Sequence, residues 1–225
     1  MRISVIIPTL NEAEHIERTI QQIRDCGDCE IVVVDGGSVD GTLERASQAD
    51  LTLAGPRGRG RQQNHGAHSS QGDVLLFLHA DCQLQSGCLA AIDTALDDPR
   101  VSGGCFYQRI QAAGFRYRCL EWGNATRVRL AGWAYGDQGI FVRRQVFEDL
   151  GGFPELPLME DLYFSKQLKR AGRLRLVRQP PLGVSARRWQ HTGVIRQTLC
   201  NWLLISLATV GVSPHWLARL YPHIR

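Results

Sequence analysis

Ile3-Ser4-Val5-Ile6-Ile7, running into Pro8-Thr9-Leu10-Asn11-Glu12, and Ile31-Val32-Val33-Val34, running into Asp35-Gly36-Gly37-Ser38-Val39-Asp40-Gly41-Thr42, together decide the fold. Neither apolar run alternates with polar residues. Both therefore read as strands covered on two faces, the pattern of a parallel sheet packed between helices. Between them, Ile16, Ile20 and Ile23 recur at helical spacing within residues 12–23. The rhythm then repeats. Asp40 is placed to cap a helix through residues 43–46, and residues 51–54 form a short apolar strand. A loop rich in glycine and arginine covers residues 55–60, and small residues form a helix around 64–68. Residues 74–78 make a fourth strand, ending in His79-Ala80-Asp81. Strand alternating with helix over the first hundred residues predicts an α/β fold. Its sheet is doubly wound, mostly parallel and flanked by helices, with right-handed crossovers.

After Arg100 the spacing changes. A strand is expected over 101–110, a helix over 115–130 and another strand over 138–142. Gly151-Gly152-Phe153-Pro154 breaks the chain before a helix that opens on Glu160-Asp161, where the helix dipole favours carboxylates. Two further strands are expected near 174–177 and 184–189, then an apolar helix around 199–212. The expected organisation is one catalytic domain over 1–190 and a C-terminal helical extension over 191–225.

The chain has 225 residues, 44% of them hydrophobic and 21% charged, enough apolar material for a packed core and too much for a disordered chain. Its net charge of +4 conceals a division. Residues 161–225 hold two lysines, nine arginines and one acid, Asp161, for +10; residues 1–160 carry 15 basic and 21 acidic side chains, for −6. An acidic front and a basic tail suit a protein that handles a cation and an anion together, and no nucleic-acid partner is expected. Met1 to Pro8 offers no signal-peptide core, and the apolar stretch 199–212 is too short to span a bilayer. Seven cysteines without a leader suggest reduced thiols. The expected location is the cytoplasm, with peripheral contact at the inner face of the membrane as an option. Cys26 and Cys29 form one C-x-x-C with no second pair at zinc spacing, so they read as small residues in a turn.

Doubly wound sheets bind ligands outside the carboxyl ends of their strands. Here that rim collects Thr9 to Glu12, Asp35 to Thr42 and His79-Ala80-Asp81, with Arg57, Arg59 and Arg61 on a neighbouring loop. Acids to hold a cation and arginines to fork onto phosphate oxygens suit a metal-bound diphosphate.

Pro8-Thr9-Leu10-Asn11-Glu12, Val34-Asp35-Gly36-Gly37-Ser38-Val39-Asp40-Gly41-Thr42, His79-Ala80-Asp81 and Met159-Glu160-Asp161, in this order, resemble family 2 of the glycosyltransferases. Within it, the Leu-His-Ala-Asp strand end and short chain are similar to a small bacterial subgroup. The resemblance covers residues 1–190 and implies a GT-A fold, with a nucleotide-binding half over 1–100 and an acceptor-binding half over 101–190. It further implies a metal-dependent inverting transfer of sugar from a nucleoside-diphosphate donor, with UDP the expected carrier, to a hydroxyl acceptor that could be lipid-linked. Pro8, Thr9, Asn11, Glu12, Asp35, Gly36, Gly37 and Asn64 match nucleotide-binding positions, Asp35 being the acid expected at the base. Asp81 matches the last acid of the family's Asp-x-Asp metal motif, and His79 replaces the first acid. Imidazole is a poor ligand for Mg2+ and an acceptable one for Mn2+, so either ion is expected, with His191 as a further candidate ligand. Asp161, beside Glu160, matches the catalytic base. Arg187-Arg188-Trp189 resembles an Arg-Trp element near the active site, though Ser185 stands where a glutamine usually precedes it. With Arg59 and Arg61, Arg187 and Arg188 are diphosphate candidates. Trp133, Gln138 and Trp189 are candidates for the sugar or acceptor wall.

Two other classes remain open. A nucleotidyltransferase shares the sheet, but such enzymes place a lysine in the loop after the first strand, and residues 9–12 contain none. A non-catalytic sugar-nucleotide sensor or membrane adaptor would have no use for Asp161. The apolar tail helix fits either a lipid surface or a dimer interface, and the lack of basic residues between Arg196 and Arg219 leans toward the interface.

Overall fold

A computed structural model describes residues 1–220. β1 (Ile3–Thr9), β2 (Glu30–Asp35), β3 (Leu51–Ala54) and β4 (Val74–Phe77) pair in parallel in the order β3-β2-β1-β4. Every residue of β1 and β4 is buried, as their unbroken apolar runs require. α1 (Ile16–Asp25) turns Ile16, Ile20 and Ile23 into the core, and α2 (Thr42–Arg45) is a single turn. α3 (Arg59–Ser69) lies close against β1 and β2: a methyl group on Gly66 would sit 2.5 Å from Ile6 Cγ2, so the small residues are a packing requirement. α3 also begins earlier than expected and takes Arg59 and Arg61 out of the loop into its first turn.

The sheet continues with β5 (Cys82–Gln83), β6 (Val101–Ile110), β7 (Ile140–Arg143) and β8 (Arg173–Val184), giving the full order β3-β2-β1-β4-β7-β6-β8-β5. β7 runs antiparallel to β4 and β6, and β5 antiparallel to β8, so the sheet is mixed. Because β5 pairs with β8 at the far edge, residues 1–100 and 101–190 share one sheet. α4 (Cys88–Leu96), α5 (Phe115–Ala131), α6 (Arg144–Asp149) and α7 (Glu160–Ala171) complete the layers, and α8 (Arg187–Thr192), α9 (Val194–Thr209) and α10 (Pro214–Leu220) form the tail.

The strand expected over 184–189 does not form. Among the described residues the pairing of β8 ends at Val184, opposite Ile110 and Cys82, and the chain turns into α8. One core layer gathers Phe77, Phe147, Phe153 and Phe164, with Phe153 and Phe164 rings 4.2 Å apart. That cluster pins the segment before α7, and with it the start of the helix that carries Glu160 and Asp161.

Candidate active site

β1 connects to β2 on one side, while β4 pairs on its other side, so the sheet reverses its winding between β1 and β4. The crevice at such a switch point is where doubly wound sheets bind ligands. β7 runs the other way, with Ile140 opposite Phe77, so the turn Gly136–Gln138 ahead of it reaches the same rim as His79. The start of α7 joins them: the Gly136 N–H donates to Asp161 Oδ2 at 2.7 Å. Four sequence-distant segments thus meet at one edge.

On the β2 side, Thr9 and Asp35 face each other in register, and Thr9 Oγ1 donates to Asp35 Oδ1 at 3.1 Å. Asp35 also accepts from the Gly37 and Ser38 N–H groups, at 3.0 and 2.8 Å, and from the Ser38 hydroxyl. A carboxylate offers about four lone-pair sites, and the turn's three donors with Thr9 use them all. In this conformation Asp35 therefore shapes the Gly36-Gly37-Ser38 turn and has no acceptor left for a base. Asn11, with a left-handed φ of 55°, accepts from the Val39 N–H at 3.0 Å and donates its own N–H to Ser38 Oγ at 2.8 Å, locking the β1 turn to the β2 turn. Gly37 has φ 93° and open space beside it, a bare backbone facing the crevice. Asp40 accepts from the Thr42 hydroxyl at 2.5 Å and from the Ala13 and Thr42 N–H groups at 3.1 Å each, and these contacts, the hydroxyl first, hold its carboxyl below the usual range.

Sequence reasoning missed Gln62. Its buried amide donates to Thr9 O at 2.7 Å and to Val34 O at 2.8 Å, joining the ends of both strands under the nucleotide side of the rim. Only the glycine at 36, whose Cβ would lie 3.1 Å from that amide, lets it in. Gln62→Ala should remove one donor from each of these two buried carbonyls, Thr9 O keeping the Gly36 N–H at 2.9 Å, and cost about 1–3 kcal/mol, read as a lower denaturation midpoint at unchanged m-value. The nearby Asn64 is spoken for: it donates to Phe153 O at 2.9 Å and accepts from the Phe153 N–H at 2.8 Å, so it clasps the loop before α7 and does not face the crevice as a free amide.

On the β4 side, Arg187 unites three groups. Its guanidinium lies 3.0 Å from Glu12, 3.2 Å from Asp81 and 2.8 Å from His15 Nε2. His79 is drawn into the fold; burial, with the nearby Arg59, lowers its pKa to about 4 against the opposing pull of Asp81 and Asp161, so its ring is neutral at physiological pH. A Cβ at Gly136 would lie 2.6 Å from His79 Nε2 and 3.4 Å from Asp161 Oδ2, which places the imidazole beside the carboxylate. His191 is exposed on α8 and makes no hydrogen bond or ion pair with this cluster.

The two acids of α7 differ. Asp161 is half-buried and accepts from the Gly136 and Leu162 N–H groups, at 2.7 Å each, leaving about two lone-pair sites for the crevice. Glu160 is 3% exposed and paired with Arg59 at 3.3 Å, so it positions the helix start and Arg59. Met159 precedes them at φ 65°, in the left-handed region that non-glycine residues enter at a cost. Arg61 instead pairs with Glu155 at 2.9 Å on the surface.

Beside Asp161, Asp137 is half-buried, with its Oδ1 inaccessible and unpaired among the described residues; desolvation pushes its pKa up, opposed by Arg188 and Arg127. Gln138 is fully buried: its Oε1 accepts from Arg127 at 2.7 Å and from the Tyr135 N–H at 3.1 Å, so it supports the wall from behind. Arg127 also stacks 3.4 Å over the Tyr135 ring, and Trp133 carries Lys166 4.5 Å over its own. Trp189 does not line the crevice. It is 8% exposed and packs in the core, because α8 turns the indole inward where a strand would have left it free to line the crevice. Cys26 and Cys29 are unbridged, and burial raises both thiols, Cys29 to about 11; neither is a reactive pair.

The crevice at the sheet's switch point is thus rimmed by a glycine turn, a neutral histidine, arginines and carboxylates, and the comparisons identify the family. The chain belongs to family 2 of the glycosyltransferases: the family model described as Glycosyl transferase family 2 matches residues 4–151. It is 29% identical over 188 residues to the glycosyltransferase AglE of Haloferax volcanii, covering 76% of this chain and 62% of that one. It is 31% identical over 163 residues to a PGL/p-HBAD biosynthesis glycosyltransferase of Mycobacterium bovis, covering 67% and 62%. Among solved structures, the mannosyltransferase PcManGT of Pyrobaculum calidifontis, in complex with GDP-Man and Mn2+, matches with TM-score 0.64 and 25% identity, covering 82% of this chain and 56% of that one. TarS of S. aureus, in complex with UDP-GlcNAc, matches with TM-score 0.66 and 18% identity over 82% and 58%, a likeness of fold. The fold is thus the GT-A type, and the chain spans less than two thirds of the length of these relatives.

Proposed function

We propose that this chain transfers a sugar from a nucleoside-diphosphate donor, with UDP the carrier, to an acceptor hydroxyl with inversion, and that Asp161 is the base. The observation that carries the reading is the meeting of Asp161, Gly136, His79 and Asp81 at the switch point. Residues 1–100 supply the nucleotide side of this crevice and residues 101–190 the acceptor side.

A neutral imidazole and a carboxylate two residues apart are a mixed nitrogen and oxygen donor pair, which fits Mn2+ better than Mg2+. No group of three metal-ligating side chains occurs among the described residues. His79 and Asp81 would therefore hold a cation that draws the rest of its shell from diphosphate and water. Such a cation offsets the charge building on the departing diphosphate. The chain's own residues do the rest. The Gly36-Gly37 backbone receives the nucleotide, and Arg187 and Arg188 present guanidinium donors to phosphate oxygens. Asp161, held by two backbone N–H groups, takes the proton of the attacking hydroxyl as it approaches the anomeric carbon opposite the leaving group. Trp133, with Lys166 4.5 Å over its ring, walls the sugar side.

Thermal melts with UDP- and GDP-sugars, each with and without Mn2+, test donor and metal together. At a hundredfold excess over Kd, the true donor adds about 2.7 kcal/mol, or roughly 5–10 °C. No shift with any nucleotide sugar would refute the reading, and a shift with GDP-sugars alone would refute UDP.

A further inference from the structure

The tail helix α9 is inside out. Its inner face holds Leu204 and Ala208 but also a buried glutamine, Gln197, hydrogen-bonded to Asn201 at 2.9 Å. The outer face carries Ile195, Leu199, Trp202, Leu203 and Val210, with Trp202 66% exposed, Leu203 60% and Val210 78%. At 100° per residue these five fall within a single stripe whose one polar member is Ser206, and no charge interrupts it between Arg196 and the end of the helix. A water-facing helix normally shows charges there, so a contiguous apolar face marks an interaction surface.

Charge identifies what covers it. The stripe is flanked along the chain by exposed Arg196 and Arg219, and no acid occurs anywhere from residue 162 to residue 225. A second copy meeting this face across a two-fold axis would bring basic rim against basic rim, an arrangement with repulsion and no compensating acid. An anionic bilayer supplies both missing complements, hydrocarbon for the stripe and phosphate headgroups for the arginines. No helix among the described residues is long and apolar enough to cross a membrane, so α9 lies in the interface plane.

We infer that α9 docks this chain on an anionic lipid surface, with the stripe in the headgroup boundary. The inner side of the same unit reaches the active site. Leu204, Ala208 and Leu217 pack with Leu158 and Met159, the residues immediately before Glu160 and Asp161. Docking therefore sets Asp161 beside the bilayer, and the acceptor class that follows is a hydroxyl on a membrane-anchored carrier. This last step rests on the transferase reading; the docking itself does not.

Flotation of the full chain with vesicles, without donor or metal, tests docking separately from catalysis. Vesicles of phosphatidylcholine with 30% phosphatidylglycerol (roughly the anionic share that gives a useful surface potential) should carry the protein. Phosphatidylcholine alone should carry at least about tenfold less, and binding should weaken as salt rises, since each arginine near the surface is worth about fivefold in partition. Leu199→Glu with Leu203→Glu should abolish flotation at an unchanged melting temperature. Arg196→Gln, which leaves the stripe intact, should reduce flotation about fivefold. Equal binding to neutral and anionic vesicles, or none to either, overturns the proposal. So does a concentration-dependent dimer that the Leu199→Glu, Leu203→Glu variant dissolves. A catalytically dead Asp161→Asn chain that still floats separates this inference from the transferase reading.

Discussion

Asp161→Asn should lower transfer by about 10²–10⁴-fold, the range that a positioned general base contributes, while donor binding stays within a few-fold. The substitution also has a structural cost. Asp161 Oδ2 accepts from the Gly136 N–H and Oδ1 from the Leu162 N–H, so an amide can satisfy only one of them and turns an NH2 toward the other. The orphaned donor costs about 1–3 kcal/mol, or roughly 2–10 °C in this size range. The two effects separate by measurement. Melting reports the lost hydrogen bond, single-turnover transfer at saturating donor reports the lost base, and donor-induced stabilisation reports the nucleotide side of the crevice, which Asp161 does not touch. A variant with normal turnover would remove Asp161 from the chemistry. One that no longer bound donor would show that the residue serves mainly to hold the Gly136 turn.

The parts that local chemistry dictates were legible in the chain. Unbroken apolar runs ending in polar residues located β1, β2 and β4 within two residues, and the rim follows from where such strands stop. The acidic opening of α7 was legible for the same reason, since a helix start favours carboxylates whatever lies around it. Contacts made across the fold were not. Gln62 and Asn64 stand two residues apart in one polar stretch, yet one ties β1 to β2 and the other clasps Phe153, 89 positions away. Trp189 could be placed on the crevice or in the core only once β8 was seen to lose its partner at Val184. The role expected of Asp35 was read from its position, but a turn with three N–H or O–H donors beside Thr9 saturates it, and donor counting needs coordinates. The tail deceived in the other direction. Its apolar run reads equally well as core, interface or membrane face, and only the exposure of Trp202 and Leu203 shows which side it presents.

Asp81→Ala should abolish the Mn2+-dependent part of nucleotide binding and reduce transfer by at least about 10²-fold, with little change in stability. The stability half follows from Arg187. Its guanidinium is half exposed and keeps Glu12 at 3.0 Å and His15 at 2.8 Å when Asp81 is gone, so the lost pair is worth about 1 kcal/mol or less. The binding half follows from the donor count. His79 and Asp81 are the side chains at this strand end with lone pairs to offer a cation, and a neutral imidazole alone is a weak site for a hard divalent ion. Arg187 sharpens the expectation because it lies on the same carboxylate. In wild-type protein, Mn2+ with nucleotide must draw Asp81 away from Arg187 or share it, whereas a guanidinium freed by Asp81→Ala can still reach a phosphate oxygen. The variant should therefore retain a weak, metal-independent affinity for the diphosphate that Arg187→Ala then removes. Titrating UDP by calorimetry, with and without Mn2+, across wild type, Asp81→Ala and the double variant reads each term. Equal Mn2+-dependence in wild type and Asp81→Ala would move the cation away from this strand end.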